Sequence, residues 1–256
     1  MTIVQASEAA VPAGLPGQSV VVRELTKRFG SFVAVDRISF DVRAGEIFGL
    51  LGANGAGKTT TIRMLTGLLR PTSGGGSVGG WDINRDFERI KRSIGYMSQK
   101  FSLYGDLNVG ENLEFFGGVY GLSRRRISER LADLEDALGL GEILRRRTST
   151  LPIGFKQRLA LGAAILHEPS ILFLDEPTAG VDPIARRHFW ELINSLAARG
   201  ITVIVTTHYM DEAEYCNRLC IMHAARIVSI GSPGELKARH GGGSIEDVFV
   251  RLVRGA

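Results

Sequence analysis

Gly52-Ala53-Asn54-Gly55-Ala56-Gly57-Lys58-Thr59 satisfies the pattern G-x-x-x-x-G-K-[ST] at every fixed position. Glycines at these positions let the backbone curl so that successive N–H groups point at a single anion. Lys58 can add a full positive charge for the β- and γ-phosphates, and the Thr59 hydroxyl can ligand Mg²⁺. The glycine order, G-x-x-G-x-G, differs from the dinucleotide fingerprint G-x-G-x-x-G. A glycine-rich turn that binds nothing is the bland alternative. A strand before the loop and a helix after it favour a nucleoside triphosphate site.

Five further residues could join that chemistry. Asp175 and Glu176 close the apolar run Ser170-Ile171-Leu172-Phe173-Leu174. An acid at the C-terminal end of a parallel strand sits beside the ligand crevice of an open α/β sheet. There Asp175 could hold Mg²⁺ and Glu176 could orient or deprotonate the attacking water. Two adjacent acids at a strand end are otherwise a solvated turn. Gln99 ends the run Ile94-Gly95-Tyr96-Met97-Ser98 and could bridge metal and water, although an isolated glutamine usually does neither. His208 ends Ile201-Thr202-Val203-Ile204-Val205-Thr206-Thr207 and either caps that strand or reaches the γ-phosphate. Phe29, on a turn upstream, could stack on a base; taken alone it reads better as core.

The elements around these residues follow from periodicity. Residues 46–51 read as a buried strand and 60–69 as a helix, whose dipole adds to the phosphate loop. Before them, 20–22, 33–35 and 38–40 read as strands. After them, Pro71-Thr72-Ser73-Gly74-Gly75-Gly76 reads as a loop, followed by a small hairpin at Gly79-Gly80 and a short helix over 86–91. Residues 109–120, 128–138 and 155–166 have helical spacing with no strand between them, so about 101–165 forms a helical insert. A helix over 183–199, one over 210–215, a strand near 219–222 and a hairpin to Ile230 complete the sheet. An amphipathic helix is expected over 245–253.

At 256 residues the chain can bury a sizeable core as one large domain, or as a domain with a subdomain. Its longest apolar stretches fall far short of the ~18 residues of a membrane helix. Residues 1–18 lack the basic start and apolar centre of a signal peptide and read as a loose tail. Cys216 and Cys220, one helical turn apart, are a poor metal site and read as buried thiols. The net charge of +4 owes much to Arg124-Arg125-Arg126 and Arg145-Arg146-Arg147. Such runs read first as a solvated face, with anionic lipid or nucleic acid as the alternatives.

These pieces, in this order, resemble the nucleotide-binding subunit of an ABC transporter of exporter type, over about residues 20–253. The resemblance implies an α/β fold, a P-loop NTPase with a mostly parallel sheet core, an N-terminal antiparallel β subdomain and an inserted α-helical subdomain. It divides the chain into a tail (1–19), an ATPase domain (20–236) and a C-terminal tail (237–256). It implies ATP and Mg²⁺ as ligands. Gly52, Asn54, Gly55, Ala56, Gly57, Lys58, Thr59 and Thr60 match the phosphate loop, and Phe29 matches the adenine-stacking aromatic. Gln99, Glu176 and His208 match the catalytic glutamine, glutamate and switch histidine. Thr59, Gln99 and Asp175 match the metal site, and Asp182 matches the aspartate of the loop following the acids.

The departure lies in the signature Leu-Ser-Gly-Gly-Gln, here Leu151-Pro152-Ile153-Gly154-Phe155. In the family this segment closes over ATP held by the other subunit. Pro152 removes the hydroxyl and one N–H, while Gly154 and the helix N-terminus remain. One lost charge-assisted hydrogen bond is worth ~1.5–3 kcal/mol, roughly 10- to 150-fold in binding or rate. The expected partners are integral-membrane permease subunits and a second ATPase domain, as homodimer or heterodimer, at the cytoplasmic face of the membrane, with no nucleic acid. A soluble ABC-type ATPase acting on ribosomes or nucleic acid is the alternative kept open by the arginine runs. Another is a regulatory subunit that binds ATP with little turnover.

Overall fold

Ile38, Phe40 and Val42 are buried while Arg37, Ser39 and Arg43 between and beside them are exposed, the alternation of a strand with one covered face. The strand they belong to pairs antiparallel with the one before it, giving β1 (Gln18–Phe29) and β2 (Phe32–Arg43) instead of several short strands. The computed structural model describes residues 17–100 and 102–254. The expected N-terminal tail therefore lies mostly outside the described residues, and Gln18 and Ser19 already belong to β1. β3 (Ile47–Leu51), buried at every position, runs into the glycine-rich loop and helix α1 (Lys58–Leu65).

α1 is shorter than its periodicity implied. Gly67, at φ +71°, reverses the chain, with Gly67 N–H donating to Met64 O and Leu68 N–H to Arg63 O. This is the Schellman arrangement, and it removes Leu68 and Leu69 from the helix. A larger correction follows. The glycine-rich stretch read as a loop is in part a strand, β4 (Ser73–Val78), paired antiparallel with β1. A Cβ on Gly76 would sit 2.2 Å from Val21 O, so glycine is what permits the two backbones to approach.

β5 (Trp81–Asp82) returns along β4 through Gly79-Gly80, and α2 (Phe87–Ser93) leads to β6 (Ile94–Met97). The insert then holds α3 (Val109–Val119), α4 (Arg124–Leu138) and α5 (Ile153–Ile165). Asn108 and Glu111 form a capping box that starts α3. Ser123 accepts from Arg126 N–H, so α4 begins before residue 128 and carries the first arginine run in its opening turn. There Arg126 pairs with Glu129 and Glu168, and Arg125 with Glu129.

β7 (Ile171–Asp175), α6 (Pro183–Ala198), β8 (Thr202–Thr207), β9 (Arg218–His223) and β10 (Arg226–Gly231) follow, then α7 (Pro233–Arg239) and α8 (Ile245–Arg254). A 3₁₀ turn, Asp211–Tyr215, replaces the expected α-helix before β9. Cys216 follows that turn and Cys220 lies in β9, so their spacing is not helical; both thiols are free and buried. α8 lays Ile245 and Val248 into the core. Among the described residues no helix is long and apolar enough to cross a membrane.

Two sheets result. The antiparallel one has the order β2-β1-β4-β5; the other runs β10-β9-β3-β8-β7-β6, parallel except for β10. The six-stranded sheet is covered on both faces. Leu172, Leu174, Val203 and Val205 pack with the helical insert and α6, while Ile171, Phe173 and Ile204 pack with α1 and the antiparallel sheet. Register aligns the strand ends, with Leu51 opposite Thr207, Asp175 opposite Thr206 and Met97 opposite Leu174. The glycine loop, Gln99, the two acids and His208 therefore leave the sheet along one edge.

Candidate functional site

At that edge a cleft of about 290 Å³ is lined by Phe32, Ala34, Asn54, Gly55, Gly57, Lys58, Thr59, Thr60, Gln99 and Glu176. The loop depends on Gly57, which stands at φ +105° at the N-cap of α1; a Cβ there would lie 2.6 Å from Ala34 O. No side chain caps α1, so its first-turn N–H groups are left to a ligand or solvent. Lys58 curls back and donates from Nζ to Gly52 O (2.8 Å) and Ala53 O (3.2 Å). Ala56 is buried beneath the loop.

The acids meet the loop from β7. Asp175 Oδ1 accepts from Thr59 Oγ1 (3.0 Å) and Thr206 Oγ1 (2.7 Å). Burial raises its pKa against the lowering effect of these two bonds. Glu176 Oε1 lies 3.4 Å from Lys58 Nζ, and its Oε2 accepts from Gln99 Nε2 (3.0 Å). Burial lowers the Lys58 pKa, opposed by the Glu176 charge. His208 Nδ1 stands 3.2 Å from the same Glu176 Oε2 without hydrogen-bonding geometry. Glu176 adopts a left-handed φ of +48°, held by its N–H donating to Thr206 Oγ1 and Thr206 O. Such a conformation costs about 1–3 kcal/mol in a non-glycine residue and persists where the surroundings enforce it.

The oxygen donors fit a hard divalent cation. Thr59 and Asp175 are in direct contact, and Gln99 and Glu176 stand across the cleft. This suits Mg²⁺, which takes one or two protein ligands and completes its shell with phosphate oxygens and water.

The remaining expected residues stand apart from the cleft lining. Phe29 is 51% exposed, with Lys27 Nζ 5.1 Å from its ring centroid, and it is Phe32, its partner across the β1–β2 hairpin, that lines the cleft. Asp182 caps α6, accepting from Ile184 N–H and Ala185 N–H. Gly154 lies in the first turn of α5, where a Cβ would be 3.5 Å from Ala185 Cβ. Pro152 occupies the N-cap and gives α5 no side-chain cap.

Residues 35–179 match the family model described as ABC transporter. The chain belongs to the ABC transporter family. It is 50% identical over 246 residues to a protein of Escherichia coli (strain K12) named "Probable multidrug ABC transporter ATP-binding protein YbhF", covering 94% of this chain and 43% of that protein. The chain thus spans less than half the length of that relative. It is 41% identical over 227 residues to the linearmycin resistance ATP-binding protein LnrL of Bacillus subtilis (strain 168), covering 88% of this chain and 73% of that one. A solved structure of an ATP binding subunit of an ABC transporter superposes with a TM-score of 0.82 at 30% identity, over 91% of this chain and 98% of that one. The antiparallel sheet, mostly parallel sheet and helical insert are the P-loop NTPase architecture of that ABC subunit.

Within this ABC fold, two participants had escaped the sequence reading. Phe32 lies two residues beyond Gly30 with nothing in its spacing to mark it. Thr206 was visible as a polar residue closing the apolar strand before His208, yet only strand pairing shows that it holds both acids.

Proposed function

We propose that this chain is the ATP-binding and ATP-hydrolysing part of an ABC exporter. The observation that carries this is the convergence of Lys58, Gln99 and His208 on the Glu176 carboxylate, beside the Thr59–Asp175 contact. Lys58 and the α1 N-terminus neutralise phosphate charge. Thr59, Asp175 and Gln99 would hold Mg²⁺, which neutralises developing charge between the phosphates when bound. Glu176 orients the attacking water and accepts its proton, while Gln99 and His208 flank the reacting phosphate.

Phe29, paired across the β1–β2 hairpin with the cleft-lining Phe32, offers an exposed ring for the adenine. Gly154, at the α5 N-terminus, and Asp182 supply the surface that closes over ATP in a second ATPase domain. The relatives named for drug resistance, and the Nod factor export ATP-binding proteins at 39–41% identity, support export. Separate integral-membrane subunits carry the substrate, with this chain on their cytoplasmic side. Two arginines of the run on α4, Arg125 and Arg126, pair with Glu129 and Glu168, which weakens the nucleic-acid reading.

The test is steady-state ATPase activity across protein concentration, beside Glu176→Gln. Turnover should rise with concentration and fall at least about 100-fold in the variant, which should still bind ATP. Wild-type rates in Glu176→Gln would remove Glu176 from the role of base. Failure of the wild type to bind ATP would end the proposal.

A further inference from the structure

Glu212 has no solvent-accessible surface, although it sits in the 3₁₀ turn Asp211–Tyr215 just after His208. A buried carboxylate is costly unless its oxygens are fully engaged. Here they are. Oε1 accepts from Thr178 Oγ1 (2.5 Å) and lies 3.7 Å from Arg186 Nε; Oε2 accepts from Thr207 Oγ1 (2.5 Å).

The positions of these donors give the contact its meaning. Thr178 is two residues beyond Glu176, on the segment that joins β7 to α6. Thr207 immediately precedes His208, and its Oγ1 also accepts from Tyr209 N–H (3.0 Å). Arg186 lies over the Tyr209 ring, with Cζ 4.1 Å from the centroid, and Tyr209 packs against His208 at 4.2 Å between ring centroids. One carboxylate therefore fastens the chain following Glu176 to the chain carrying His208. On the other side of the same strand end, Thr206 fastens Asp175 and the Glu176 N–H.

We propose that Glu212 is a positioning residue for ATP hydrolysis, setting the distance between Glu176 and His208 by clamping Thr178 and Thr207. The inference rests on the ATPase reading above. Glu212 touches neither nucleotide-site residue and lies outside the cleft lining, so ATP binding is left to the phosphate loop. A displacement of the 177–182 segment, which precedes α6, is passed by the clamp to His208.

Glu212→Gln keeps the shape but exchanges one acceptor oxygen for an amide donor, so one threonine hydroxyl loses its acceptor. With rates normalised to ATP-binding sites, kcat should fall about tenfold while KM for ATP stays within about twofold. Thr178→Val, which removes only one hydroxyl, should move kcat in the same direction and serves if Glu212→Gln does not fold. In a His208→Ala background, Glu212→Gln should cost no further activity, the non-additivity of residues acting as a unit. A purely structural role would lower the count of ATP-binding sites and spare the normalised rate. Unchanged kcat in both clamp variants, or losses that multiply with His208→Ala, would overturn the positioning role while leaving the ATPase reading intact. A wild type without turnover would retire both.

Discussion

Asp175 is the residue at which function and stability pull apart most clearly. Burial raises its carboxyl above the ordinary value of 3.8. An acid that is harder to ionise in the native state binds more protons there than in the unfolded chain. Its contribution to stability therefore declines as pH rises from 3.8 through the native pKa and stays low above it. Asp175→Asn keeps an oxygen acceptor for Thr59 and Thr206 and removes the buried charge. At neutral pH the variant without nucleotide should melt above the wild type, by roughly 2–4 °C for each kcal/mol gained. The difference should vanish below pH 3.8, and Mg²⁺-dependent stabilisation by ATP should disappear at every pH. A melting curve with and without Mg·ATP reads all three. Asp175, Glu176 and Lys58 were legible beforehand because their chemistry needs fixed residue types. The Glu176 backbone conformation was not, since it is imposed by Thr206 thirty residues away.

Among the elements, β4 gives the sharpest test. Residues rich in Ser and Gly read as a loop because local propensity is all that a short window contains. The stretch pairs instead because β1 supplies a ladder and the glycines permit the approach. Gly76→Ala would place a methyl carbon 2.2 Å from Val21 O, against backbone that cannot yield cheaply. It should destabilise the fold by about 3 kcal/mol or more, read as a lower denaturant midpoint at unchanged slope. The converse holds for α1. Its apolar periodicity continued past the helix, and Gly67 ended it through two backbone hydrogen bonds that periodicity does not register. The short apolar strands β3, β7 and β8 are legible because strands buried on both faces leave an uninterrupted apolar run.

For the molecule as a whole, the proposal that two ATPase domains meet through the surface around α5 can be tested at the signature segment. Pro152 and Ile153 replace the hydroxyl and the small residue of the family signature, and Ile153 is 41% exposed with its Cδ1 against Gly180. Pro152→Ser with Ile153→Gly supplies an N-cap hydroxyl and a donor at the face proposed to close over a neighbour's ATP. In a homodimer the double variant should raise kcat about tenfold, the lower end expected from one charge-assisted hydrogen bond. Unchanged turnover would mean that this signature does not face a working ATP site.

The amino-acid order alone determined the phosphate loop, the pair of acids, the histidine and the apolar strands that present them. Each is a local pattern in which chemistry or burial restricts residue type. Only the tertiary structure decided which distant groups share an oxygen: Thr206 with Asp175, Gln99 with Glu176, and Glu212 with both Thr178 and Thr207. Except for Thr207–Glu212, five residues apart, these pairings join groups 31 to 77 residues apart, brought together by the register of the parallel strands that end beside them. A hydrogen bond depends on separations of tenths of an ångström, which no local spacing along the chain encodes.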